Sequence, residues 1–192
     1  MEKKSYQALK SICENRKSVR SFSDEPVPED AIEKIKQIAC TSPYASGKKN
    51  WEIMVVENKE SIQTIAQIVK KHSDEIGKKI RADFRDGYTE YANNFTAFKT
   101  APLLFILTFR VPYALSLMVY DVQEFISEWE RDNYVKSISC VAMLVLLAAE
   151  SLGLGSCYMT GPLIAEERII EYLGIKNGKR LGAVIPIGYS KE

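Results

Sequence analysis

Five residues near the N-terminus, Arg16-Lys17-Ser18-Val19-Arg20, place three cations around one hydroxyl. Such a set can hold a phosphate, because arginine offers a planar fork of donors and serine adds a neutral one. In an extended segment alternate side chains point the same way, which turns Arg16, Ser18 and Arg20 toward one ligand and Lys17 elsewhere. A solvated basic turn fits the same residues. A second stretch runs from Thr41 to Trp51, TSPYASGKKNW. Ala45, Ser46 and Gly47 permit close backbone approach to a flat ligand, and Lys48, Lys49 and Asn50 supply donors. An ordinary loop anchored by Trp51 is the plainer reading. A third stretch, Tyr158-Met159-Thr160-Gly161-Pro162, ends a short apolar run. It can turn backbone N–H groups toward a ligand edge, or simply join a strand to a helix.

Other chemistries find little support. The chain has one histidine, His72, within the charged run KKHSDE, so a solvated side chain is expected and triads or multi-histidine metal sites have no material. The four cysteines, Cys13, Cys40, Cys140 and Cys157, lack C-x-x-C spacing and read as reduced core residues of a cytoplasmic protein. Lys plus Arg is 26 against 25 Asp plus Glu, a net charge of +1, which points to neither nucleic acid nor a membrane as partner. The start, MEKKSYQALK, shows no apolar signal segment.

The elements that position these stretches follow from periodicity. The 192 residues suit a single domain, 1–192. The organising stretch runs from Tyr134 to Pro162, with nearly continuous apolar residues from Ile138 to Ala149. That reads as a central helix buried on all sides, too short to span a bilayer, stopped at Gly153-Leu154-Gly155. Ala8, Leu9 and Ile12 mark a first helix. Pro28-Glu29-Asp30 begins a second, with Ala31, Ile32, Ile35, Ile38 and Ala39 as its buried stripe. A third carries Ile62, Ile65, Ala66, Ile68 and Val69, and Tyr88, Tyr91, Phe95 and Phe98 form an aromatic stripe on a fourth. Short strands are expected at 53–56, 103–109, 156–159 and 183–187. Residues 111–132 show only mixed periodicity and read as irregular, with helical pieces and the makings of a lid. The whole is an α+β pattern, a sheet flanked by many helices.

Taken together and in order, the three stretches resemble the FMN-dependent nitroreductase family over most of the chain. The family's Arg-x-Ser-x-Arg/Lys box with a following aromatic is matched by Arg16, Ser18, Arg20 and Phe22, with PVPED behind it. Its small-residue loop ending in Trp before a strand is matched by SPYASGKKNWEIMVV. Its buried helix leading to a GLGS turn is matched by LLAAESLGLGSCYMTGPL, and its closing strand by LGAVIPIGY.

The resemblance implies a mostly antiparallel sheet flanked by helices, an intertwined homodimer, and FMN at the subunit interface. It assigns cofactor binding to Arg16, Lys17, Ser18 and Arg20, to Lys49 and Asn50, and to Tyr158, Met159, Thr160 and Gly161. A backbone donor toward flavin N5 and positive charge near N1 and O2 favour the reduced ring, so the flavin carries the chemistry and no acid–base side chain is required. The implied activity is ping-pong oxidation of NAD(P)H with reduction of a nitroaromatic, quinone or related acceptor. Alternatives are a relative with other flavin chemistry, such as dehalogenation or flavin breakdown, a flavin-binding protein without turnover, or a purely structural dimer. Two departures stand out. Gly47 and Lys49 occupy places where many members have Asn and Gln, so Lys49 or Asn50 must take over that contact. Many members also continue past the Gly-Tyr with a basic tail, where this chain has Lys191 and then Glu192; phosphate binding then rests more on Arg16 and Arg20.

Overall fold

The computed structural model describes residues 3–47, 49–121, 124–176 and 178–191, with the Ser46 side chain also outside the description. Lys48 and Glu192, both named above, lie outside the described residues. Six α-helices and four strands are found among those described: α1 Lys4–Asn15, α2 Glu29–Ala39, β1 Trp51–Val56, α3 Lys59–Gly77, α4 Arg85–Asn93, β2 Leu103–Phe109, α5 Glu124–Ser151, β3 Gly155–Ser156, α6 Glu166–Tyr172 and β4 Arg180–Gly188. The strands form one antiparallel sheet in the order β1-β2-β4-β3.

Strand β2, LLFILTF, is buried at every position because both faces of the sheet are covered. Its odd-numbered residues, Leu103, Phe105, Leu107 and Phe109, pack with α2 and α5; Leu104 and Ile106 pack with α3 and the 3-10 turn Asn94–Thr100. This period-two split makes a helix–sheet–helix sandwich out of one apolar run. The buried stripe of α2 is Ala31, Ile32, Ile35 and Ala39, and that of α3 includes Ile62, Ile65, Ala66 and Val69. Asn58 caps α3 by accepting from the Ser61 amide at 2.8 Å. Gly153, at φ 75°, ends α5 in the left-handed conformation, and the Leu154 amide returns to the Ala149 carbonyl at 2.9 Å.

Several expectations are corrected. The central helix is 28 residues long and begins at Glu124, well before the apolar run. By length and composition it is sufficient to cross a bilayer, yet Ile138, Val141, Ala142, Val145 and Ala149 pack into the sheet as a core helix does. It is not buried all round, since Cys140 is exposed and Met143 is 50% exposed, with Leu144 and Leu147 half-buried beside them. Cys13 and Cys40 are exposed as well, which leaves Cys157 as the buried cysteine. Ile38 is exposed on α2. His72 is half-buried rather than solvated, and its Nδ1 has no hydrogen-bond partner. The aromatic stripe is divided: Tyr88 and Tyr91 lie on α4, while Phe95 and Phe98 lie buried on the following 3-10 turn. The strand expected over 156–159 breaks after Ser156, and only Met159 pairs again, with Val184.

Candidate functional site

The basic segment is held against the sheet edge. Ser18 forms a parallel bridge with Ser156, and the Val19 amide donates to the Ser156 carbonyl at 3.0 Å. A Cβ on Gly155 would lie 2.8 Å from the Val19 side chain, so only glycine permits this approach. Further on, Phe22 is fully buried and bridges Ser190; the Ser23 amide donates to the Tyr189 carbonyl at 2.9 Å, and the Lys191 amide to the Ser21 carbonyl at 3.2 Å. The alternation of an extended chain therefore sends Val19 inward and leaves Ser18 and Arg20 exposed, with Arg16 half-buried.

Beneath this segment lies Cys157, 2% exposed. Burial pushes its thiol pKa up; the positive charge of Arg20, a hydrogen bond with Ser18 and the charge of Arg16 act in the opposite direction. Arg16, Ser18 and Arg20 thus all act on one buried thiol. Lys17 is exposed. Arg20 Nη1 makes a long 3.4 Å contact to the Ser18 carbonyl. Among the described residues no carboxylate pairs with Arg16, Lys17 or Arg20.

The chain leaving Cys157 supplies the next wall. Tyr158 is exposed, with its hydroxyl 3.3 Å from Ser139 Oγ on α5. Met159 has its side chain in the core and exchanges both backbone hydrogen bonds with Val184, at 3.1 and 3.0 Å. It anchors the turn through these two bonds. Thr160 is exposed and leads into the 3-10 turn Gly161–Ala165. A Cβ on Gly161 would come within 2.4 Å of the Phe95 ring, so the turn sits directly on that ring. Tyr91 meets Phe95 edge-on, with centroids 4.9 Å apart, and is itself exposed beside the turn.

Lys49 and Asn50 are not brought to this place within one chain. They precede β1, and β2 and β4 separate β1 from β3. Lys49 Nζ lies 4.5 Å above the Trp51 ring, and the Asn50 carbonyl accepts from the Arg110 amide at 2.9 Å. The loop before them is tied to α5 instead: the Ala45 amide donates to Ser137 Oγ at 3.0 Å, and Tyr44 packs 5.8 Å from Tyr134. Burial, and then the neighbouring Tyr134, raises the Tyr44 phenol pKa far above its ordinary value.

Two features escaped the sequence reading. The nearness of Cys157 to the basic segment is one: it reads as a core cysteine and is one, but its neighbours are not foreseen, although its place next to Tyr158 was a signal, since neighbours on an extended chain face opposite ways. Glu130 is the other. It is the buried charged residue of the described core, 6% exposed, and it accepts from the amides of Leu115 and Ser116 at 2.7 and 3.0 Å and from Ser116 Oγ at 2.6 Å. Burial alone would raise its pKa, but these hydrogen bonds outweigh it and hold the carboxyl below its ordinary range. Residues 111–121 are thereby tied to α5, with Leu117, Met118 and Tyr120 left exposed.

The sheet order, the basic edge segment and the glycine turn define a nitroreductase-type α+β fold. The nitroreductase family model matches residues 13–189, and the chain belongs to that family. Among curated relatives, an iodotyrosine deiodinase of Nematostella vectensis is 29% identical over 98% of this chain and 69% of its own length. A protein of Archaeoglobus fulgidus, provisionally named an NADH dehydrogenase/NAD(P)H nitroreductase, is 28% identical over 97% of this chain and 87% of its own. The fold agrees with a BluB-like flavoprotein of Clostridium difficile 630, TM-score 0.85 at 24% identity, covering 96% of this chain and 90% of that one. It also agrees with a nitroreductase with bound FMN from Desulfitobacterium hafniense, TM-score 0.73 at 17% identity, covering 100% and 92%.

Proposed function

We propose that the chain is an FMN-dependent oxidoreductase whose cofactor lies on the Arg16–Ser18–Arg20 edge and the turn at Tyr158, Thr160 and Gly161. The observation that carries this reading is the set of arginines that have no carboxylate partner among the described residues, fixed to β3 beside a glycine turn, in a chain of the nitroreductase family. The residues fit the group. A phosphate needs charge-assisted donors, which Arg16, Arg20 and Ser18 offer without first breaking an ion pair. A flat ring needs a close backbone, and Gly161 lets the turn's backbone settle against Phe95, where a Cβ would clash, which fixes the backbone that the ring would meet.

When bound, FMN supplies the electron-transfer chemistry. The protein's part is to hold and orient it. Arg16 and Arg20 neutralise the phosphate, Ser18 fixes one oxygen, and Thr160 and Gly161 present backbone to the ring. Tyr91, exposed next to Phe95, is placed to shield the outer face. Lys17 contributes long-range charge. NAD(P)H is the reductant, and a small aromatic or quinone-like acceptor takes the electrons in a second half-reaction at the same face. The partial exposure of Cys140, Met143, Leu144 and Leu147 on α5 supports a homodimer, in which Lys49 and Asn50 approach the flavin of the partner subunit. The protein works in the cytoplasm in this reading.

The relatives named iodotyrosine deiodinases favour one second reading, reductive dehalogenation on the same cofactor. The discriminating experiment reduces the FMN-loaded protein anaerobically with NADH or NADPH and then adds either a nitroaromatic or a halogenated tyrosine. Bleaching by NAD(P)H with reoxidation by the nitroaromatic supports the first reading. Bleaching only by dithionite, with halide released from the halotyrosine, supports the second. No reoxidation by either acceptor contradicts both.

A further inference from the structure

Cys40 and Lys49 bracket the small-residue loop, and their reactive atoms meet. Lys49 Nζ lies 3.2 Å from Cys40 Sγ. The Trp51 ring, 4.5 Å from the same nitrogen, holds the lysine over the sulfur. Each side of the pair is carried on regular structure. Cys40 caps α2, its amide bonded to the Lys36 carbonyl at 3.0 Å; Lys49 is one residue from the Asn50 carbonyl that pairs with Arg110. Cys40 is exposed, so a small oxidant reaches it. Cys13 and Cys140 are exposed too, but among the described residues neither has an amine within hydrogen-bond distance.

We propose that Cys40 and Lys49 form a reversible oxidative cross-link that locks the loop over residues 41–48. The oxidant is hydrogen peroxide. The Cys40 thiol gives two electrons to one peroxide, forming the sulfenic acid and one water. Lys49, having released its ammonium proton to solvent, attacks the sulfur through its nitrogen lone pair. An S–N bond forms, the S–O bond breaks, and the hydroxyl leaves as a second water with a proton from the amine. A further peroxide inserts one oxygen between sulfur and nitrogen and releases one more water. Two equivalents of a thiol reductant restore thiol and amine from the S–N link and leave as their disulfide; the oxygen-inserted link takes four, leaves two disulfides and releases its oxygen as water. The lock ties α2 to the start of β1 and closes the loop that Ala45 and Tyr44 fasten to α5. Because Lys49 is also proposed to approach the partner subunit's flavin, the peroxide is added to the protein with and without FMN, and the link is expected in the flavin-free protein.

The test treats the whole protein with hydrogen peroxide in the presence of dimedone, which captures sulfenic acids, and maps the digest by mass spectrometry. The expected product is a linked peptide pair containing Cys40 and Lys49, lighter than the two reduced peptides by about 2 Da, or heavier by about 14 Da with the oxygen inserted. Dithiothreitol should abolish it. Cys13 should carry dimedone while Cys40 does not, and Lys49→Met should make Cys40 a dimedone target. If that variant does not fold, Lys49→Arg, which retains the cation but cannot form the link, serves the same purpose. Dimedone on wild-type Cys40 to the variant's extent, with no linked pair, overturns the proposal. So does an unmodified Cys40 when Cys13 is oxidised.

Discussion

Cys157 shows how one residue reports on its surroundings. Its burial dominates and keeps the thiol protonated at neutral pH, although two arginines and a serine hydroxyl stand next to it. Cys157 should therefore resist alkylation of the native protein at pH 7, while Cys13 and Cys40 react; mass mapping after iodoacetamide checks this. The sign of its pH effect follows from linkage. The folded pKa lies above the unfolded one, so this contribution to stability is complete below about pH 8.5 and is lost as pH rises through the folded value. Wild type should lose stability above that pH more steeply than Cys157→Ala, read from urea midpoints. Burial of single residues was only partly legible in the sequence. Cys140 looks like core because it sits in an apolar run, but a helix turns each residue by a fixed angle whatever its neighbours are, and this one lands on the open side.

At the scale of elements, the stripes of α2 and α3 were readable, Ile38 apart, because a helix follows a fixed period, whereas the antiparallel arrangement of the sheet came only from the family resemblance. The first turns of α5 were not. Between Glu124 and Asn133 charges and aromatics alternate without a stripe, and the helix there owes its form to Glu130, whose carboxylate closes three hydrogen bonds from residues 115 and 116. Glu130→Gln keeps the shape but turns an amide donor toward groups that are themselves donors, and should cost about 1–3 kcal/mol. Residues 111–121 should then become the first site of proteolytic nicking, together with a lowered melting temperature. Wild-type Glu130 stabilises the segment above the ordinary carboxylate range, near pH 4.3, and the effect is lost as pH falls through the depressed folded value. Limited proteolysis of wild type with an acid-active protease should show no nick just above the ordinary carboxylate range and the same nick appearing only well below it. The lid expected over 111–132 is thus half strap and half helix, a division that periodicity could not draw.

For the whole molecule, the three stretches singled out in the sequence separate into two places. The basic segment and the glycine turn meet at the β3 edge, whereas Lys49 and Asn50 stay at the β1 edge. Sequence order alone cannot reveal this, because sheet order is set by long-range packing. A homodimer reconciles the two places in the proposed function, and the open stripe of α5 is where it is most easily broken. Met143→Glu should shift the protein toward monomer in light scattering and weaken FMN retention without unfolding the chain, since Met143 is 50% exposed in one subunit.

The account's central claim is that FMN is held by Arg16, Ser18 and Arg20 at the β3 edge. The most direct test is a titration of FMN into the purified protein, followed by flavin absorbance, for wild type, Lys17→Ala and Arg16→Ala/Arg20→Ala. The account predicts saturable binding by wild type and a smaller loss in Lys17→Ala. It predicts a weakening of about 100-fold or more in the double variant, since each hydrogen bond to a charged group contributes about 1.5–3 kcal/mol. Wild-type protein that ignores FMN, or a folded double variant that binds it as wild type does, would contradict the account.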